Sequence, residues 1–393
     1  MSGHADRGHT KKSPSGFHRI MQCPGSFRLE RQFPQTTSEY AEEGTLAHEV
    51  CETKLNAYIS LTPKRSVTAA INKLKKKEHW SDEMLGHADA YVDFVKQTAL
   101  AMSEAPHIVV EKRLDIGHWV EGMAGIADCI LLGGKTLHII DFKYGKGVPV
   151  SAVNNPQLQL YALGAYTAYS MLYPIETVCM SIVQPRLSDE PSTWCISLQE
   201  LMEFGEEAMA CAELADREDA PFHPSDDACR FCRARQTCRA RADHNVRAAF
   251  EAPQAIGIPG ALLDNAEIGK YLQWGTDIYK WLSDLKEYAL SESLLGHKID
   301  GWKAVEGRGS RSFSDQDKAF EVIVASGTPE TMLYERKPLT LAQIEKLMGK
   351  KAFGEVVGDM VVTHPGKPAL VPESDKREAV TNVVSANEAF KED

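Results

Sequence analysis

The stretch Gly125-Ile126-Ala127-Asp128, followed thirteen residues after that aspartate by Asp141-Phe142-Lys143, sets two carboxylates and a lysine on what reads as a β-hairpin. Residues 127–132 are apolar and partly β-branched, Gly133-Gly134-Lys135 is a tight-turn signal, and 136–142 is a second apolar run. Asp128 and Asp141 then lie on neighbouring strands. Side chains alternate across a strand, so Asp141 and Lys143 share one face while Ile140 and Phe142 enter the opposite layer. Carboxylate oxygens suit hard divalent ions such as magnesium or manganese, which keep several waters for a hydrolytic reaction. A lysine beside them can orient that water or neutralise charge developing on a phosphate.

Taken alone, an aspartate two residues before a lysine reads as an ion pair on a solvated strand face. The flanking residues change that reading. Downstream, Asn154-Asn155-Pro156-Gln157 opens a helix, with Asn155 as N-cap, Pro156 at the first helical position, and Gln157 and Tyr161 on one face by their i, i+4 spacing. Upstream, Thr45-Leu46-Ala47-His48-Glu49 falls in a helical pattern that begins near Thr37 or Ser38. A histidine, two aspartates, a lysine and a Q-x-x-x-Y pair in this order resemble the RecB-like branch of the PD-(D/E)xK nuclease superfamily. The resemblance implies that His48, Asp128, Asp141 and the Phe142 carbonyl hold a Mg2+ or Mn2+ ion, that Lys143 is catalytic, and that Gln157 and Tyr161 support it. It also implies an α/β fold, a restriction-endonuclease-like core with a mixed central sheet flanked by helices. Ile139 and Ile140 stand where the family nominally has a proline, a departure common to this branch.

Cys229-Arg230-Phe231-Cys232 and Cys238 form a C-x2-C-x5-C run in a loop bounded by Pro221, Pro224 and Asp226-Asp227. Three thiolates call for a fourth ligand. Cys23, in the turn-like Cys23-Pro24-Gly25 segment, is the candidate, because Cys51, Cys129, Cys179, Cys195 and Cys211 lie in apolar patterns and read as small buried hydrophobes. Soft thiolates suit a 4Fe-4S cluster or zinc, and only one C-x2-C knuckle is present where zinc ribbons usually offer two. One N-terminal cysteine with a C-terminal triplet resembles the iron-sulfur staple of RecB-like nucleases, including the CRISPR-associated single-strand exonucleases.

At 393 residues with 43% hydrophobic and 25% charged residues, the chain has material for a sizeable core and the composition of a globular protein. No apolar run spans a bilayer, and residues 2–12 lack the apolar region of a signal peptide, so a cytoplasmic location without membrane contact is expected. Nine cysteines without a disulfide-like framework suit a reducing compartment. The formal charge of -11 argues against broad adhesion to nucleic acid, yet basic segments occur locally. Lys73 and Lys75-Lys76-Lys77 form one, and Arg230, Arg233, Arg235, Arg239 and Arg241 crowd the cysteine loop, where a rigid mount would let them contact phosphates.

Along the chain, periodicity predicts helices over about 38–98, strands at 108–116 and 119–124, the hairpin, the helix after Pro156, strands at 177–184 and 193–198, and a helix to about Leu214. A nuclease domain over 13–242, a C-terminal α+β extension over 260–373 and a loose tail over 374–393 follow. A linker at 252–259 leads into the extension, which begins with a helix over 265–295. A strand at Gly301 runs into a basic turn at Arg308 to Arg311, and one helical unit spans 339–355 with Lys346, Lys350 and Lys351. The pattern from Phe17 through Cys23 to Ser26, taken with this tail, resembles an uncharacterised family of phage-encoded RecB-like nucleases, which implies a host-cytoplasmic role in phage replication or recombination. The expected activity is metal-dependent DNA hydrolysis, an exonuclease acting on single strands or free ends, with a structure-specific endonuclease or a non-catalytic DNA-binding scaffold as alternatives and RNA as a further substrate class. No P-loop or repeat supplies a motor, so a helicase or single-strand-binding protein would be a partner.

Overall fold

Alternating apolar positions need two layers to receive them, and the hairpin obtains both. This computed structural model describes residues 12–34, 39–251, 265–305, 315–326 and 340–357, with isolated positions 329, 330, 333 and 361. The chain divides into two compact units, Met1–Val305 and Glu306–Asp393. The first carries helices α1 (Pro14–Gln22), α2 (Ser26–Glu30), α3 (Glu39–Ile59), α4 (Lys64–Leu74) and α5 (Glu83–Ala101), then strands β1 (His107–Asp115), β2 (Ala124–Gly133) and β3 (Thr136–Phe142). Helix α6 (Pro156–Tyr169), strands β4 (Thr177–Val183) and β5 (Ser192–Ser197), and helices α7 (Leu198–Asp216), α8 (Asp226–Arg230), α9 (Arg239–Glu251) and α10 (Asn265–Leu294) complete it.

The five strands form one sheet in sequence order. β1, β2 and β3 pair antiparallel, β3 pairs β4 in parallel, and β5 runs antiparallel at the edge. A parallel pair needs a crossover, and α6 supplies it. Its start follows the sequence: Asn155 accepts from the Gln157 and Leu158 N–H groups, and Pro156 occupies the first turn. On one face, Ile130, Leu132, Leu137 and Ile139 pack with Phe17 of α1, Leu158 of α6 and Leu201 of α7. On the other, Cys129, Leu131, Ile140 and Phe142 pack with Val50 and Leu55 of α3 and Tyr91 and Val95 of α5. The result is a mixed α/β sheet with helices on both sides.

Several expectations require correction. Residues 119–123 form no strand, and Ala124 opens β2. The chain reverses ahead of it instead, with the Asp115 carboxylate accepting from the Gly117 N–H at 2.8 Å and the Ile116 N–H bonding the Met123 carbonyl. Ile116, Val120 and Met123 are buried because the turn folds onto the core, which gives it a strand-like composition. Cys179 and Cys195 are not isolated hydrophobes. They face each other across β4 and β5 and form a disulfide, because register, which the apolar pattern of each strand alone does not fix, sets them 4.0 Å apart at Cα. Cys51 and Cys129 are buried as expected.

The second unit contains α11 (Gln316–Ala325), α12 (Leu341–Met348) and α13 (Lys350–Val357). The expected single unit over 339–355 is thus two helices, broken at Gly349, whose φ of 79° is left-handed. Near Gly301 there is an isolated bridge between Ile299 and Trp302 rather than a strand. The linker at 252–259, the basic turn at Arg308 to Arg311 and the tail from Ser374 lie outside the described residues. Among those described, no helix is long and apolar enough to cross a membrane.

One buried polar chain crosses the sheet. His138 Nε2 lies 2.8 Å from Ser181 Oγ, which lies 2.8 Å from Thr193 Oγ1. Burial pushes the His138 imidazole down to about 4, below its ordinary 6.5. Between those values the unfolded chain binds a proton that the folded protein does not, so stability is full above about pH 6.5 and falls as pH drops towards 4. This one group should make the protein about 2 kcal/mol less stable at about pH 5 than at pH 7. Urea unfolding at the two pH values should show that loss reduced in His138→Gln; an equal loss in both proteins would contradict the assignment.

Candidate functional site

The site lies at one end of the sheet, where the two helical layers approach the same pair of strands. β2 and β3 are paired up to Cys129 and Ile140. One residue further, Asp128 Oδ2 accepts from the Phe142 N–H at 2.8 Å. From the α3 side, His48 Nδ1 reaches Asp128 Oδ1 at 3.2 Å, its ring held edge-on to Phe142 with centroids 5.4 Å apart. From the α6 side, Gln157 Oε1 accepts from Lys143 Nζ at 3.0 Å while Gln157 Nε2 donates to the Tyr161 hydroxyl at 3.1 Å. Lys143 Nζ also pairs with Asp141 Oδ2 at 3.0 Å. All six side chains singled out from the sequence therefore converge.

Glu111 joins them, and the sequence reading missed it. Its carboxylate, His48 and Asp128 offer ligand atoms within 4.8 Å of one another, a donor set that fits a divalent cation. On β1 the residues Val110 and Lys112 pair with Cys129 and Ala127, and Glu111 between them, level with Asp128, drops out of the ladder with φ of 48°. A left-handed backbone at a non-glycine residue costs about 1–2 kcal/mol, and such positions cluster at functional sites. The available signal was an acid directly after the apolar residues 108–110, inside the strand expected over 108–116.

Electrostatics couple the group. Burial works against a charged His48, but Asp128, with Asp141 and Glu111, outweighs it and raises the imidazole. Burial would also raise Asp128, yet His48, the Phe142 N–H and Lys143 hold it below the ordinary value. Asp141 is raised, chiefly by burial and further by Asp128 despite the opposing pull of Lys143. Lys143 is raised because Asp141 and Asp128 outweigh its desolvation. A cation at this cluster would relieve the crowding of carboxylates.

Gly125 positions the support. A Cβ there would come within 2.7 Å of the Tyr161 ring and 2.8 Å of Pro14. Gly125→Ala should displace Tyr161 from Gln157 and lower stability by about 1–3 kcal/mol, the usual effect of overpacking. An unchanged urea midpoint would contradict this.

The four cysteines also meet. Cys23, at the end of α1, and Cys229, Cys232 and Cys238 line one small cavity with Leu29 and Phe222. The His223 N–H donates to Cys23 Sγ at 3.3 Å. Burial raises Cys23 and Cys229 and pushes Cys232 up to about 12, so thiolates there need a bound cation. Among the described residues, the set of three such donors drawn within 4.8 Å is His48, Glu111 and Asp128.

The arginines of this loop behave differently from expectation. Arg233 donates its N–H to Glu30 at 2.7 Å and its guanidinium to the Phe33 carbonyl at 2.9 Å. Arg235 and Arg241 both engage Asp284 on α10. These three hold neighbouring elements to the loop, while Arg230 and Arg239 are exposed. Carboxylate partners far along the chain decided the outcome, and local sequence does not reveal them. In the lysine segment, Lys77 pairs with Glu49 at 2.5 Å and Lys75 with Asp82 at 3.8 Å.

Fold and site together define a helix-flanked mixed-sheet protein with an acid–histidine set fit for a divalent ion. The chain belongs to the family described as Protein of unknown function (DUF2800), which matches residues 9–378. Among solved structures it is similar to SSO0001 at 14% identity and a TM-score of 0.22, over 57% of this chain and 95% of that one. It is likewise similar to LHK-Exo, solved in complex with dAMP, at 14% identity and a TM-score of 0.23, over 44% of this chain and 92% of the other. At those scores neither likeness bears on the chemistry.

Proposed function

We propose that this protein is a metal-dependent nuclease of the RecB-like PD-(D/E)xK type, acting on DNA as an exonuclease at single strands or free ends. The observation that supports it best is the convergence of His48, Glu111 and Asp128 beside the Asp141–Lys143 pair. In this reading His48, Glu111, Asp128 and Asp141 hold a Mg2+ or Mn2+ ion, with the Phe142 carbonyl as the resemblance implies. The ion, when bound, supplies Lewis acidity and a water of lowered pKa. Asp141 and Gln157 fix the Lys143 ammonium between them, so that its charge is in position where negative charge develops on the phosphate. Tyr161 fixes Gln157 in turn. Residues 13–242 form the nuclease domain on this account.

Cys23, Cys229, Cys232 and Cys238 would hold a 4Fe-4S cluster that closes the domain. Zinc is the alternative, but zinc ribbons usually offer two C-x2-C knuckles and this chain offers one, Cys229 to Cys232. An N–H donated to a ligand sulfur suits such a cluster.

End-labelled single- and double-stranded DNA, incubated with the purified protein and magnesium or manganese, should shorten as a ladder from the ends. One discrete internal product would favour an endonuclease. Binding without any cleavage would favour a scaffold and contradict the proposal.

A further inference from the structure

The proposed centre carries three carboxylates, and a polyanionic strand approaching it needs more positive charge than Lys143 alone offers. Beside the centre is a cation with an unusual mounting. β3 and β4 run in parallel to their ends, where the Lys143 N–H bonds the Val183 carbonyl at 2.9 Å, so the segments after them emerge side by side. Gln184, buried, locks them together. Its Oε1 accepts from the Val150 N–H at 3.0 Å, and its Nε2 donates to the Gly145 and Val148 carbonyls at 2.7 and 3.0 Å. Two residues on, the Arg186 guanidinium lies over the Tyr144 ring at 4.5 Å. Tyr144 itself packs on Phe142, which touches His48. Arg186 is thus held by the strand ends that carry Asp141 and Lys143, two ring contacts from the metal set.

The partner of Arg186 is Glu43, on the same helix as His48, whose two carboxylate oxygens each lie 3.2 Å from Nη1. The arginine side chain is 11% exposed and the glutamate 23%, so the carboxylate is the outer member of the pair. A guanidinium binds a phosphate with the geometry it offers a carboxylate, and one already desolvated against an aromatic face gives up little more water on exchange. We infer that Arg186 is a substrate-binding residue that grips a backbone phosphate next to the scissile one, and that Glu43 occupies its place until a nucleic-acid strand displaces it. This inference rests on the nuclease reading.

The test is binding of a fluorescein-labelled single-stranded oligonucleotide, followed by anisotropy in EDTA over a range of salt, for the full chain and for Arg186→Gln, Glu43→Gln and the double variant. Arg186→Gln should weaken binding about tenfold and reduce the slope of log K against log salt by about 0.7, the loss of one single-strand phosphate contact. Glu43→Gln should tighten binding several-fold, about the effect of removing a competing carboxylate, and should do nothing when Arg186 is already glutamine. Unchanged affinity and slope in Arg186→Gln, or weaker binding by Glu43→Gln, would overturn the inference while leaving the nuclease reading in place. If Arg186→Gln does not fold, the sign of the Glu43→Gln effect decides alone. Failure of the unsubstituted protein to bind any strand would overturn this inference, whereas the nuclease reading stands or falls on cleavage with magnesium or manganese.

Discussion

Lys143→Ala should leave the fold intact and reduce DNA cleavage by about a hundred- to a thousandfold, the usual cost of removing one charge stabiliser from a phosphoryl or acyl transition state. The side chain is a quarter exposed and at the mouth of the site, so its loss opens no core cavity. It does leave Asp141, which is buried, without its nearest cation. Asp141→Ala should lose at least as much activity, since one carboxylate goes and Lys143 keeps only Gln157. Circular dichroism and urea unfolding would verify the fold, and single-turnover cleavage the effect. Near-normal turnover in folded Lys143→Ala would remove the lysine from the mechanism.

The second large effect concerns the cysteine cavity. Cys23 lies about two hundred residues from its three companions, so a cluster there closes a very long loop. Cys23→Ala should lose iron and lower the melting temperature by on the order of 10 °C, if the chain-entropy estimate for such a cross-link, about 5 kcal/mol, is spread over a domain of this size. Anaerobically prepared protein should be brown with about four irons per chain, the content of a four-cysteine cubane. Cys51→Ala, at a buried position outside the cavity, should retain its iron. Stoichiometric zinc without iron would overturn the cluster and leave the four-ligand staple.

Much of this arrangement was legible because local rules fixed it. A two-residue glycine turn dictated the hairpin, an Asn-Pro pair the start of α6, and strand alternation the shared face of Asp141 and Lys143. Helical spacing then brought Gln157 and Tyr161 to that face. What escaped the sequence depends on partners elsewhere in the chain. Glu111 matters through a left-handed backbone opposite Asp128, which no β-propensity anticipates. Cys179 meets Cys195 through the register of two strands, and Arg235 and Arg241 are taken by an aspartate on a helix more than forty residues away. The turn at 116–123 has strand-like composition because it covers core. In each case tertiary contact overrode the local pattern.

Isothermal titration of manganese into the protein, paired with cleavage of end-labelled DNA by the same samples, tests the central assignment most directly. An ion bound through His48, Glu111 and Asp128 should bind the unsubstituted protein, fail to bind folded Asp128→Ala, and govern cleavage in parallel, with EDTA abolishing both signals. Cleavage that survives EDTA, or that persists in Asp128→Ala, would contradict the account.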